Sequence, residues 1–162
     1  MKILLISPTQ TGIGGIAQHV SGLANFLKKN GHEIEVISSE NTFTIPINGL
    51  KNPSFMISSF FKTKFKKDYD IVHAHNIPSA LAMKNIKGKK ILSIHGVFSK
   101  QINELHGKTA TTLSQKYENN ALDWADAITV VSKEAHAYYT AQGFEIQQIP
   151  NAIDIQSLPK NE

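Results

Sequence analysis

Six short apolar or β-branched runs alternate with stretches whose apolar residues recur at helical spacing, and this pattern predicts an α/β fold. The class expected is a Rossmann-like doubly wound parallel sheet with helices on both faces, three layers in all. Two observations narrow it. Several runs are almost continuously apolar, as parallel strands covered on both sides require. Strand, helix, strand then repeats along the chain, the signature of right-handed crossovers between parallel strands.

The strands are expected at Lys2–Ser7, Glu33–Ser38, 70–74, 90–94, 126–131 and 145–149. Glu33-Ile34-Glu35-Val36-Ile37 alternates polar and apolar residues, which suits a strand nearer an edge of the sheet. The first helix is expected over 15–30, with Ile16, Val20, Leu23, Ala24 and Leu27 on one stripe and Gly31 as its stop. A short helix is expected over 78–85, a longer one over 109–124, and another over 132–142, where Ser132 serves as the N-cap. Residues 40–53 and 95–108 read as loops.

The chain has 162 residues and a formal net charge of +4, a size suited to one domain. It has no cysteine, so disulfides and thiolate metal sites are excluded. Every basic residue is lysine. Without arginine, the better bidentate clamp for phosphates and guanine edges, no nucleic-acid partner is expected. The N-terminus is broken too early by Ser7-Pro8 to be a signal peptide, and no apolar run approaches the ~20 residues of a membrane span.

Ligands of open parallel sheets bind beyond the carboxyl ends of the strands, which directs attention to four loops. Pro8 to Gly15 places Gly12, Gly14 and Gly15 at a helix start, where a backbone can approach an anion. Gly12-x-Gly14-x-x-Ala17 matches the dinucleotide fingerprint literally, but Pro8-Thr9-Gln10-Thr11 displaces it from the strand and its acid would be Glu40, somewhat too far along. His73 and His75 lie on one side of a strand, ahead of Asn76; a metal would need a third and fourth ligand that the sequence does not mark. His95-Gly96 leaves the next strand, and Ser132 opens a later strand–helix turn whose plain reading is capping. Asp68-Tyr69-Asp70 spells a metal-binding signature, but it sits at the wrong end of a strand for catalysis. From Pro53 to Lys67, helical spacing puts Ile57, Phe60, Phe61 and Phe65 on one face with Lys62 and Lys66 opposite. That serves either a core-packing helix or a basic, aromatic surface for a membrane.

Taken in order, these stretches resemble the N-terminal domain of the retaining GT-B glycosyltransferases of family 4. The resembling segments are the Gly14-Gly15 loop with Ile16 to Ala24, Gly31-His32-Glu33-Ile34-Glu35-Val36, Tyr69 to Asn76, Ile94-His95-Gly96, Ala125 to Ser132, and Ile149 to Asp154. Ala152 stands where that family usually has glycine. The resemblance implies a cytoplasmic transferase of hexosyl type, using a nucleotide-sugar donor and a glycan or lipid-linked acceptor with retention of configuration. It implies His95 as the catalytic residue. Gly14, Gly15, His75, Asn76, Gly96, Ser132 and Asn151 would be substrate-binding. No metal and no cofactor are implied. Residues 1–150 would form the acceptor-side domain and 151–162 the start of a linker to a donor-binding domain. This chain alone is then expected to be inactive. Lipid-modifying members dock through a basic, aromatic element in this half, so the segment from Pro53 to Lys67 implies peripheral contact with the inner membrane face.

Two other classes fit the residues: a nicotinamide-dependent oxidoreductase domain, and a non-catalytic sugar- or nucleotide-binding module of the same fold.

Overall fold

The computed structural model describes residues 1–12, 14–47, 49–100, 102 and 108–152, with the backbone alone for 108–111. Six strands form one sheet: β1 (Lys2–Ser7), β2 (Glu33–Ser38), β3 (Ile71–His75), β4 (Lys89–Ile94), β5 (Ala127–Val130) and β6 (Gln147–Gln148). Their order is β2-β1-β3-β4-β5-β6, and every pair is parallel. The alternating strand β2 is indeed at an edge. Helices α1 (Gly15–Lys29), α2 (Lys51–Thr63), α3 (Ile77–Lys84), α4 (Lys108–Asp123) and α5 (Lys133–Thr140) make the connections.

The order decides which face each helix covers. From β1 the chain steps to β2 on one side, then returns past β1 to β3 on the other. Right-handed crossovers therefore put α1 on one face and α2 on the opposite face, giving three layers. Strand alternation confirms the division. Leu4, Ile6, Val72, Ala74, Leu92, Ile94, Ile128 and Val130 pack with Phe55, Ile77, Met83, Leu122 and Tyr139 from α2 to α5. Ile3 and Leu5 pack instead with Ala24, Leu23 and Leu27 of α1.

The sequence misplaced several boundaries. β6 pairs over two residues, not five, because a last strand has one neighbour and Pro150 ends its supply of amides. The expected loop over 40–53 ends early: α2 begins at Lys51, and Pro53 is tolerated in a first turn whose amides lack helical partners. The loop expected over 95–108 contains helical backbone at Phe98, Ser99, Lys100 and Ile102, α4 begins at Lys108, and 101 and 103–107 lie outside the described residues. The segment from Pro53 to Lys67 is not one helix either, since α2 stops at Thr63. It buries Phe55, Ser59 and Thr63, one residue per turn, while Ile57, Phe61 and Phe65 are exposed. Lys62 and Lys66 are turned back onto the protein, Lys62 toward Asn41 and Lys66 toward Glu35. Of the expected linker, only Asn151 and Ala152 lie within the described residues.

Candidate functional site

The reversal of direction at β1 puts the topological switch point between β1 and β3, and the carboxyl ends of these strands are the usual ligand position in such sheets. Three elements converge there. Register pairs His75 of β3 with Ser93 of β4, so both face the α1 side, and His95 continues that parity two residues on. Helix α1 covers that side, and its second turn carries His19 on the half-buried border of its apolar stripe.

The result is a triangle of imidazoles. Ring centres are 5.5 Å apart for His19 and His75, 5.2 Å for His19 and His95, and 5.8 Å for His75 and His95. His73 stacks on His75 at 4.2 Å, as alternation anticipates for neighbours on one side of a strand. Its Nε2 lies 2.7 Å from the Ser93 hydroxyl, which in turn lies 2.6 Å from the Thr129 hydroxyl. His75 is fully buried; its Nδ1 is 3.5 Å from His95 Nε2. The remaining nitrogens, His75 Nε2 and His95 Nδ1, are buried without a hydrogen-bond partner among the described residues.

Burial, which penalises the cation, holds these rings neutral. His73 is pushed down to about 4, first by burial and then by the nearby His19 and His95. Burial, followed by His19, also lowers His95 to about 4. His75 falls well below the usual range through burial and its three histidine neighbours, and burial lowers His19 as well.

The other residues singled out in the sequence differ in their surroundings. Asn76 takes φ 64° and ψ 158°, a conformation natural only to glycine, and its Oδ1 accepts a 2.9 Å bond from the His95 amide. It thereby ties the end of β3 to the residue after β4. Gly96 is half-buried beside His95. Ser132 caps α5, its hydroxyl accepting from the Ala135 amide at 3.1 Å. Asn151 is exposed. Asp70 accepts a 2.7 Å bond from the Lys2 amide at the amino end of the sheet, away from the histidines. A shallow acidic concavity bordered by Asp123, Asp126 and Glu145 lies at that end too, opposite to where parallel sheets bind ligands.

The glycine loop is informative. Gly12 has φ 123° and so needs glycine. Gly14 and Gly15 have no such requirement, and a Cβ at either would meet nothing within 4 Å. Gly14 is the N-cap of α1 without a side-chain cap, and the first turn holds no acid. Glu40, the candidate ribose-binding acid of the dinucleotide reading, is already engaged. Its carboxylate accepts from the amides of Gln10 and Thr11 at 3.1–3.2 Å and from the Thr11 hydroxyl at 3.3 Å. Burial alone would raise its pKa; hydrogen bonds from Ser38, Gln10 and Thr11 outweigh that and hold it at about 2.

Two residues near the site escaped the sequence reading. One is His19, marked only as a histidine in an otherwise apolar stripe. The other is Glu118 of α4, only 1% exposed. It accepts from the amides of Phe98 at 3.0 Å and Ser99 at 3.2 Å, and from the Tyr139 hydroxyl. It thus fixes the start of the segment that follows His95 and Gly96.

An open doubly wound sheet with polar side chains gathered at its topological switch point defines a Rossmann-like ligand-binding domain. The model of Glycosyltransferase Family 4 matches residues 13–157, and the chain belongs to that family. A comparison with curated proteins gives no match.

Proposed function

We propose that this domain is the N-terminal, acceptor-side half of a GT-B transferase that moves a hexosyl group from a nucleotide-sugar donor to a glycan or lipid-linked acceptor with retention. Residues 1–150 would be that half, and 151–162 would lead toward a donor-binding domain. The observation that carries the reading is the family match over residues 13–157. The packing of His95 at 5.2 Å from His19, on the helix that Gly14 and Gly15 open, supports it.

The chemistry suits the division of labour. Bond cleavage at the anomeric carbon passes through an oxocarbenium-like state while negative charge grows on the departing diphosphate. Aligned reactants and donors aimed at the leaving group lower that barrier. The uncapped start of α1 would offer amides to the diphosphate, and glycine at 14 and 15 leaves room for its approach. His95 would contact the transferred sugar or the acceptor hydroxyl. Its neutral ring can accept or donate a hydrogen bond there without adding charge beside a forming oxocarbenium. Asn76, Gly96, His75, Ser132 and Asn151 would line the same crevice. A cytoplasmic location, with Phe61, Phe65 and the exposed Lys64 and Lys67 resting on the inner membrane face, completes the proposal. Among the described residues no helix is long and apolar enough to cross a membrane.

The test is turnover of a panel of nucleotide hexoses by the polypeptide that joins this domain to its donor-binding partner, with the product anomer read by NMR. His95→Ala is expected to lower kcat by ~10²-fold with an unchanged melting temperature. Near-normal kcat would make His95 structural. Robust turnover by the 162-residue chain alone would overturn the proposed division of the site.

A further inference from the structure

We propose that His19, His75 and His95 form a three-imidazole site for a late first-row divalent cation, with Zn²⁺ as the best fit. One nitrogen of each ring already lies within 4.8 Å of the other two. With Zn–N bonds of ~2.0–2.1 Å and each ring centre ~1.1 Å behind its nitrogen, tetrahedral angles separate ring centres by ~5 Å and the nitrogens by ~3.4 Å. The observed centres are 5.2–5.8 Å apart, and His75 Nδ1 lies 3.5 Å from His95 Nε2. Two ligands are therefore close to spacing, and the half-buried His19, on the side of a helix, has the freedom to close the rest.

The donor set selects the ion. The group holds three imidazoles and no carboxylate, which disfavours Ca²⁺ and Mg²⁺ and suits Zn²⁺, Co²⁺ or Ni²⁺. A neutral imidazole offers one lone pair, and burial keeps these rings neutral. His75 Nε2 and His95 Nδ1, the nitrogens on the far sides of the rings from the 3.5 Å pair, have no hydrogen-bond partner among the described residues, so no outer bond commits either ring to a tautomer that would protonate its facing nitrogen. Three protein ligands leave a fourth tetrahedral position for an outside oxygen. Two of the ligands, His75 and His95, belong also to the proposed transferase crevice, which asks for no metal; the inference concerns occupancy of the cluster, and metal binding is read separately from sugar transfer.

The experiment is Zn²⁺ titration calorimetry on the tag-free chain after chelator treatment, with Co²⁺ absorption as the spectroscopic probe. One equivalent is expected to bind at micromolar Kd or tighter, with visible d–d bands that Zn²⁺ abolishes. The decisive variant is His19→Ala, which spares the buried His75 and suits a helix. It is expected to stay folded by circular dichroism and to lose affinity by at least ~100-fold, since even outer-shell losses cost 10–100-fold. His32→Ala is the control, because His32 Nδ1 lies 3.5 Å from the N-terminal amine and could chelate separately. No binding by the unaltered chain, unchanged affinity in His19→Ala, or loss confined to His32→Ala would each overturn the proposal.

Discussion

Glu118→Ala tests whether the segment after His95 is held by one buried carboxylate. Three donors meet that carboxylate: the Phe98 and Ser99 amides and the Tyr139 hydroxyl. Ser99 and Tyr139 are buried, whereas Phe98 is half-buried and can recruit water. Two buried donors left unpaired cost ~1–3 kcal/mol each. Relief from desolvating a charge offsets part of that, so a net loss of ~2–4 kcal/mol is expected. In a chain of this size that lowers Tm by roughly 5–15 °C. Glu118→Gln should lose less, because its one oxygen can keep the Oε1 role toward Phe98 and Tyr139 while its amide nitrogen opposes the Ser99 N–H. Urea denaturation followed by Trp124 fluorescence gives the free energy, and amide exchange at Phe98 and Ser99 gives the local effect. A loss below ~0.5 kcal/mol, the level of an ordinary surface change, would refute the reasoning. So would undiminished protection of those two amides.

Three further outcomes are expected. Calorimetry should detect no NAD or NADP binding, because Glu40 is committed to the Gln10 and Thr11 amides, and at most millimolar UDP or GDP binding, worth about −4 kcal/mol; micromolar NAD affinity would overturn the family-based function. Sedimentation with anionic vesicles should bring down the chain, and Phe61→Ser with Phe65→Ser should abolish it, since both rings are exposed; equal binding to neutral vesicles, or none to either kind, would count against docking. With chelator present, stability should fall as pH drops from ~6.5 through about 4. His73 and His95, each held near 4, bind fewer protons folded than unfolded in that window, so unfolding gains protons and stability rises with pH. The groups facing one another there are His19, His73, His75 and His95, and a Tm that is flat between pH 7 and 4.5 would contradict it.

The strands were legible because each is a short apolar run whose pattern depends only on burial of its two faces. The boundaries that failed depend on partners. Nothing local to 145–149 says that a single neighbour will pair with only Gln147 and Gln148. Likewise Thr63 ends α2 because the chain must turn to place Tyr69 and Lys66 against Glu35. His73, His75 and His95 could be found in the sequence because alternation orients strand residues, and a strand tip in a parallel sheet points at the crevice. His19 could not, since its role follows from which face α1 covers, and that follows from strand order. Glu118 is less legible still. Two of its partners are backbone amides, which every residue possesses and no motif records.

The strand order also explains why the polar cluster sits where it does. Every described helix after α1 continues the direction of travel from β1 toward β6, so right-handed crossovers send all of them to the face opposite α1. That face carries the large core, and a polar side chain there would meet Phe55, Met83 or Tyr139. On the α1 face the buried apolar cluster is confined to Ile3, Leu5 and Ala24 with their neighbours near β1 and β2. Over β3, β4 and β5 the same face carries His73, Ser93 and Thr129, bonded in a chain across three strands. Those residues can vary in polarity without opening a cavity in the main core, whereas Ala74, Leu92 and Val130, one position away, cannot. Substitutions at His73 and Ser93 should therefore act on ligand binding with modest stability cost, and those at Ala74 and Leu92 the reverse. The separation is a property of topology: among the described residues, α1 on one side leaves room for chemistry there, and α2 to α5 on the other supply the stability that tolerates it.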